Sequence, residues 1–541
     1  MKLQPLDFIC IVGYLAFVIV LGSLFSRQQK STQNYFLAGK SMRWLPLAIS
    51  MYASIFSAIS FVMAPAEAFR GDLQYLVALA MFPVASVLAL VFFIDLYTRL
   101  RITTIYEYVE ARFNRLLSNI VLGFFLLFRS LYAAIVIFTL SMVLHVTMNF
   151  PLVTTMVAVG IGAILYTTLG GMKAVIWTDV AQFVVIVGGL IAALLFASGR
   201  VPGGFGEIYH VAQGAGKLRL ANLDFDLTQR YIFWTLIPYG FIEFLGAKTV
   251  DQMNVQRYMS ARNARNAKIA LLTQSFFTLP VWLLLFAVGM ALFAFYQHNP
   301  SALVAEYVQL GKYDRIFPNY IASEMPVGLR GLLIAALMAA AMSTMDSVLN
   351  ALSTISVVNL YKKMRPNRPD SHYLKTAKIM TVGWGVVVTL LAMLMMDIDS
   401  ILKTINSISG ILVGPVLGLF VLGMFTRRSN WQGTLIGLVA ALLPLVFMKF
   451  GARMTAAAFL ALGRPEPIPD WITTLSSVTF TVYGFMGVTI CLIVGYAASH
   501  AFSPPNEKRI QPLLWKPCPW KQMLLGNPEK IIDINKLYEE K

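Results

Sequence analysis

The sequence predicts an all-α protein that crosses a lipid bilayer about thirteen times. Three observations carry this. Of the 541 residues, 58% are hydrophobic and only 13% are charged, against about 25% charged in a soluble globular chain. The apolar residues come in runs, several near the ~20 residues that a helix needs to cross hydrocarbon. The basic residues fall mostly on alternate segments between those runs, the asymmetry of a multi-pass membrane protein. A cytosolic enzyme, a disordered chain and a small secreted scaffold are excluded.

Taken in order, the runs are 5–25, 44–65, 75–98, 119–147, 151–170, 174–198, 229–248, 269–297, 328–360, 374–396, 400–424, 432–450 and 475–500. The first is retained, because only Lys2 precedes it and no small-x-small cleavage site follows. The second is interrupted by Ser50, Ser54, Ser57 and Ser60 and then meets Pro65. Polar residues in mid-span and a proline indicate a broken helix, with half-helix ends and free carbonyls near the bilayer midplane. The alternative is a kinked but continuous helix whose serines bond the preceding turn. The seventh run weakens at Pro238-Tyr239-Gly240 and Glu243-Phe244-Leu245-Gly246. Two breaks five spans apart are what two inverted repeats of five would produce.

Thirteen spans put the termini on opposite sides. With the N-terminus outside, 29 of the 43 lysines and arginines are cytoplasmic. They include Arg27, Lys30, Lys40 and Arg43, the group Lys248, Arg257, Arg262, Arg265 and Lys268, and Arg427 and Arg428. The formal charge of +17 therefore reflects topology, and nucleic acid is not an expected partner. The three cysteines, Cys10, Cys491 and Cys518, have neither metal-ligand nor disulfide-framework spacing. The loops 200–228 and 298–327 are too short to be soluble domains. The tail carries Trp515, Lys516, Trp520 and Lys521, and either lies on the inner membrane surface or is disordered.

Ionisable residues inside a span are functional candidates. Asp179 lies near the start of the sixth span, and its alternative role is a helix-end carboxylate at interfacial water. Arg129 and Glu243 lie in the fourth and seventh. Asp346 lies in the ninth, where Ser343, Asp346, Ser347 and Asn350 share one helix face. Hydroxyls, a carboxylate and backbone carbonyls are hard oxygen ligands of alkali and alkaline-earth cations. No histidine or cysteine is near them, which argues against a transition metal. The small residues from Gly331 to Ala341 form a packing seam on the same helix.

The chain resembles the sodium/solute symporter family over nearly its whole length, and its bacterial sialic-acid branch in particular. The motifs are Asn34-Tyr35-Phe36-Leu37-Ala38-Gly39, Gly170-Gly171-Met172-Lys173-Ala174-Val175-Ile176-Trp177-Thr178-Asp179, Asp251-Gln252 with Val255-Gln256-Arg257-Tyr258, and Gly331 to Asn350. The runs from Ile102 to Phe113 and from Tyr296 to Pro300 support the branch, while Pro65-Ala66-Glu67-Ala68-Phe69 is similar to the monocarboxylate, vitamin and iodide branches. The resemblance implies a LeuT-type core, 44–426, of two inverted repeats of five helices, 44–198 and 229–426. An extra helix and first loop (1–43), two further helices (427–500) and a tail (501–541) flank it. It also implies a main sodium site from the carbonyls of Ala53, Phe56 and Ala340 with the hydroxyls of Ser343 and Thr344. A second cation site would use Asp179, Ser343, Asp346 and Ser347. Aspartate stands at 346 where sialic-acid members carry serine, which permits either a stronger second cation or a proton. The solute residues implied are Ser57, Ser60, Tyr75, Arg129, Tyr132 and Phe244. Here the chain departs from the branch: Ile55 replaces a hydroxyl, Leu79 a glutamine and Tyr132 an arginine, with Arg129 one turn earlier on the same face.

The resulting expectation is a sodium-coupled symporter, functional as a monomer in a bacterial inner membrane. It imports a small carboxylate-bearing solute, sialic acid-like or monocarboxylate-like, by alternating access. A sugar or other neutral solute, or proton coupling through Asp346, are variants. A transporter-like sensor is the rival class, and would need an attached signalling module. An enzyme is not expected, since no nucleophile–base pair is present. Nor is a channel, since no selectivity motif is found.

Overall fold

The computed structural model describes residues 4–26, 29–396, 401–461, 467–516, 532 and 534. Lys2, Arg27, Cys518, Trp520 and Lys521 lie outside them. The principal helices, in chain order, are α1 (Pro5–Ser26), α2 (Trp44–Ile55), α3 (Ala58–Arg70), α4 (Tyr75–Leu100), α5 (Arg115–Met148), α6 (Leu152–Gly199) and α7 (Phe233–Thr249). They continue with α8 (Ala264–His298), α9 (Leu329–Ile355), α10 (Asp370–Met393), α11 (Ile401–Phe425), α12 (Trp431–Ala461) and α13 (Tyr483–Ser499). Ten helical segments among the described residues are long and apolar enough to cross a membrane, and the bent pair α2–α3 makes an eleventh. The first half of α6, Leu152–Thr168, is a shorter apolar helix, and α7 has 17 residues. These two stand where the fifth and seventh spans are expected.

The chain forms two compact units, each assembled from three stretches of sequence. The first holds 1–73, 129–220 and 256–402, and the second 74–128, 221–255 and 403–541.

In the first unit the second span is broken. Helices α2 and α3 meet at 64°. The break falls at Phe56, whose ψ of 99° leaves the helical region, and Ser57 restarts the helix by accepting from the Ile59 N–H at 3.2 Å. Pro65 lies inside α3 and does not cause the break. The Phe56 N–H still donates to the Tyr52 carbonyl and the Phe61 N–H to that of Ser57, so the carbonyls from Ala53 to Phe56 leave the helical ladder. Helix α6 turns at Gly171, which takes φ 57° and ψ 179°. A side chain is strained there, and a Cβ would stand 2.8 Å from the Gln29 side chain, whose Nε2 donates to the Gly170 carbonyl at 3.0 Å. Asp7 of α1 caps α9, its Oδ1 accepting from the N–H groups of Gly328 (2.8 Å) and Gly331 (3.0 Å). The small-residue start of α9 thus packs on the extra first helix. Beyond the end of α3, Lys217 donates to the carbonyls of Phe69 (2.6 Å) and Gly71 (2.9 Å).

The second unit corrects two expectations. Helix α7 runs unbroken through Pro238, so the seventh span has no midpoint break. Pro238 is the sixth residue of the helix, where its missing N–H costs one bond near an end. Gly240 serves close packing, because a Cβ there would sit 2.2 Å from the Ala78 carbonyl oxygen. The tail, as far as it is described, folds back on the protein. Trp515 packs its ring against Phe92 (5.3 Å between centroids) and Phe425 (5.7 Å). Its indole N–H donates to the Val91 carbonyl at 3.2 Å, within the π-helical stretch Leu90–Ile94. Arg99 donates to the carbonyls of Pro512 (2.9 Å) and Leu514 (3.2 Å), and Arg509 to that of Ala111 (3.0 Å). Aromatic burial and main-chain acceptors hold the tail, where lipid attraction was one expectation. Lys516 is exposed.

Trp515→Ala removes both the ring stack and the indole donor. It should lower the apparent melting temperature of the purified protein by about 5 °C and make the tail the first point of proteolytic cleavage. Limited proteolysis with mass spectrometry reads both, and an unchanged cleavage pattern would show that the docked tail adds no stability.

Candidate functional site

Three helices of the first unit converge on the break in the second span. Thr344 of α9 places its hydroxyl 3.3 Å from the Ser54 carbonyl and 3.2 Å from the Ala340 carbonyl. A carbonyl freed by the break, a carbonyl of α9 and a hydroxyl thus meet at one point. Ser343, one residue earlier, donates to Asp179 Oδ1 of α6 at 2.6 Å. The expected main sodium set is therefore gathered on facing elements: Ala53 and Phe56 flank Ser54 at the break, and Ala340, Ser343 and Thr344 form one turn of α9. All five residues are buried. Carbonyl and hydroxyl oxygens suit a hard monovalent cation, so the donor chemistry fits sodium.

The second cluster begins at Asp179, which has no solvent exposure. It is buried in protein and does not reach interfacial water. Its Oδ2 accepts from the Ser50 hydroxyl at 2.5 Å and from Arg257 Nη2 at 3.2 Å. Arg257 is also fully buried. Its Nε donates to the Ser50 hydroxyl at 3.0 Å, and its Nη2 donates to the Ser347 hydroxyl. The guanidinium therefore ties α2, α6 and α9 together. This corrects the topology count, in which Arg257 was a cytoplasmic loop charge. The short helix Gln252–Met259 turns it inward because an ion in that position needs a counter-ion. Lys248 and Lys268, counted in the same group, are buried as well.

The serine-rich face of α9 is read by successive partners. Asp346 Oδ1 lies 3.1 Å from the Ser347 hydroxyl, which donates to the Ser343 carbonyl. One turn on, the Asn350 Oδ1 and Thr354 Oγ1 each lie 2.8 Å from Gln256 Nε2, which also donates to the Phe36 carbonyl at 2.8 Å. Gln256 and Arg257, neighbours in a motif, thus hold two consecutive turns of α9.

The expected solute residues divide between the units. In the first, Ser57 is buried as the cap of α3 and Ser60 is half-buried one turn along. Arg129 is buried, with its guanidinium 5.1 Å from the centre of the Tyr132 ring. In the second, Tyr75 packs on Tyr231 (5.6 Å) and Phe244 on Phe82 (5.0 Å), while Glu243 accepts from Ser409. Sequence reasoning missed Arg257 as a member of this cluster. Arg257 stood in a quoted motif, and its only sequence signal is that motif.

The profile of the sodium:solute symporter family matches residues 35–441. The sodium/sialic acid symporter SiaT of Proteus mirabilis is 31% identical over 526 residues, covering 94% of this chain and 98% of that one. The sodium/sialic acid symporter NanT of Aliivibrio fischeri is 32% identical over 512 residues, covering 92% and 93%. Among solved structures, the substrate-bound outward-open state of a Na+-coupled sialic acid symporter superposes with a TM-score of 0.82 at 28% identity, over 93% of this chain and 99% of that one. The fold is of LeuT type.

The buried pair itself is testable. Removing one partner of a buried ion pair costs about 3–5 kcal/mol. Arg257→Ala should therefore melt far below the parent, while Arg257→Ala combined with Asp179→Asn should recover more than about 1 kcal/mol of that loss. A thermal-unfolding double-mutant cycle measures the coupling, and additive effects would mean that the pair is not a unit.

Proposed function

The chain belongs to the sodium:solute symporter family, and we propose that it carries a small organic carboxylate inward together with sodium. The observation that carries the sodium half is the meeting of the Thr344 hydroxyl with the Ser54 and Ala340 carbonyls at the helix break. Sodium held by the carbonyls of Ala53, Phe56 and Ala340 and the hydroxyls of Ser343 and Thr344 joins the two halves of the broken span to α9. The ion then has a higher affinity for the conformation in which the solute site is formed. Coupling is that difference in affinity, and it is reciprocal: solute tightens sodium as much as sodium tightens solute.

For the solute, the support is the N-terminal end of α3 and the cation on α5. The first N–H groups of α3 carry the positive end of the helix dipole, with Ser57 and Ser60 as hydroxyl donors beside them. Arg129 supplies a guanidinium, whose fork matches a carboxylate. Its stacking on Tyr132 leaves an aromatic wall beside the charge. With Ile55 in place of a polar group, the reading favours an acid smaller or less hydroxylated than sialic acid. The chain works as a monomer in a bacterial inner membrane, N-terminus outside and C-terminus inside. The excess of basic residues on alternate segments supports that orientation.

In proteoliposomes, Ser343→Ala and Thr344→Ala should each reduce sodium-driven uptake by about 100-fold or more, while Thr344→Ser, which keeps the hydroxyl, should retain most of it. Uptake unchanged when choline replaces sodium would overturn the sodium assignment. A thermal-shift panel of monocarboxylates, sialic acids, sugars and amino acids in sodium names the solute class, because a ligand stabilises the state that it binds. Stabilisation by neutral sugars alone would overturn the carboxylate reading, and Arg129→Gln should abolish the shift given by an acid.

A further inference from the structure

A cavity of about 550 Å³ lies among the apolar helices of the first unit. One face of α1 from Phe8 to Leu15, the end of α5 from Leu140 to Met148 and the start of α6 from Pro151 to Ala163 form its walls, and Met338 and Met342 of α9 close it. Thr154 and Thr155 carry the only side-chain oxygen or nitrogen atoms of this lining, and the Thr155 hydroxyl donates to the Pro151 carbonyl at 2.9 Å. Between Leu333 and Ile355 every residue of α9 is buried except Met338 and Met342, the two that line the cavity.

Size and chemistry decide what fits there. Protein interiors are close-packed and hold few voids larger than a water molecule. A buried water needs two to four polar partners, and an apolar cavity of about 150 Å³ stays dry and takes up benzene. Water is therefore a poor occupant here and hydrocarbon a good one, on the order of twenty carbons on the same scale. The length fits as well. Phe8, Met148 and Pro151 stand at helix ends, while Leu15, Ala163 and Met342 lie well inside theirs. From Pro151 to Ala163 α6 rises about 18 Å, against about 15 Å for one leaflet of the hydrocarbon core. The surroundings of the opening are lipid-facing: Ile9 and Val12 of α1 and Val157 and Ile161 of α6 are exposed apolar residues of membrane helices. The cavity is continuous with that surface through Phe8, Ala158 and Gly162, which are exposed too.

We propose that this cavity holds one acyl chain of a membrane phospholipid, and that the chain supports the turn of α9 that bears Ser343 and Thr344. Met342 directly precedes those two residues, and Tyr14 of α1, beside Leu15, directs its hydroxyl to the Met342 sulfur at 4.0 Å. The acyl chain packs on the one side of that turn which the protein leaves uncovered, and joins the extra first helix to the ion-bearing helix. The effect on sodium rests on the reading above, whereas the binding of lipid does not, and the test separates the two.

The test uses the purified full-length chain in nanodiscs of phosphatidylethanolamine and phosphatidylglycerol, doped with a phosphatidylethanolamine that carries a diazirine at the end of one acyl chain. After irradiation, mass spectrometry should place adducts on Leu15, Met338 or Met342. A Cβ at Gly162 meets nothing within 4 Å, so Gly162→Leu fills the cavity without a clash. It should reduce those adducts about tenfold and leave adducts on the exposed Val20 unchanged. If Gly162→Leu does not fold, Ala158→Leu, one turn earlier on α6, gives the same readout. Adducts confined to exposed residues, equal in parent and variant, overturn the site. Adducts displaced by free fatty acid and not by unlabelled phospholipid overturn the choice of occupant. In a second arm, restoring phosphatidylethanolamine to delipidated protein should lower the sodium needed for half-maximal binding of radioactive sodium by about threefold in the parent and leave Gly162→Leu unaffected. Sodium binding that ignores lipid in the parent overturns the support of α9. A parent that binds no sodium in any lipid overturns the sodium reading, and the adducts still decide the site.

Discussion

The contact between Asp179 and Arg257 organises the first unit. Both side chains are fully buried and lie 3.2 Å apart, in a segment where no water can solvate either alone. A charge in that position is tolerated only with a partner and with its remaining polar atoms bonded. Ser50 and Ser343 meet that need on the carboxylate, and Ser50 and Ser347 on the guanidinium. The consequence is positional. The N-terminal half of the broken span, the helix after the Gly171 turn, the short helix Gln252–Met259 and the serine face of α9 are all held in register by one ion pair. Thr344, which follows Ser343, is thereby placed on the Ser54 carbonyl.

The same device recurs at several departures from regular helix among the described residues. Inside a bilayer, every irregular carbonyl or N–H must find its partner in the protein. At the break it is Thr344 that reaches the Ser54 carbonyl. At the Gly171 turn the Gln29 amide bonds the Gly170 carbonyl. In the second unit Arg112 donates to the carbonyls of Gly423 (2.8 Å) and Thr426 (2.9 Å) at the end of α11, and Trp515 reaches Val91 in the π-helical stretch. Most of these partners come from far along the sequence.

Charge explains why the cluster beyond Arg257 is not closed. A single guanidinium neutralises one carboxylate, and Asp346 is the second. Serine at that position would leave a neutral hydroxyl face beside a completed ion pair. Aspartate places a second buried carboxyl beside the Asp179–Arg257 pair. The helix around it stays regular.

The spans were legible in the sequence because the requirement for about twenty apolar residues is local. The broken second span was legible for the same reason, since serines in mid-span disturb a local pattern. Pro65 misdirected the explanation and Pro238 the expectation of a second break, because a proline shows only that one N–H is missing and not whether its neighbours absorb the loss. Trp515 reads as a membrane-surface residue from its neighbours alone, and its true partners are more than eighty residues away. The ligand face of α9 followed from helical period, and so did the weight placed on Asp346. What only the tertiary structure decided is which charges meet. Arg257 has the sequence context of a loop residue and becomes the counter-ion of Asp179, because pairing in a low-dielectric interior depends on distance in space. The sequence by itself determined which residues would be costly to bury in the membrane, and the packing of helices far apart in the chain determined how each was paired.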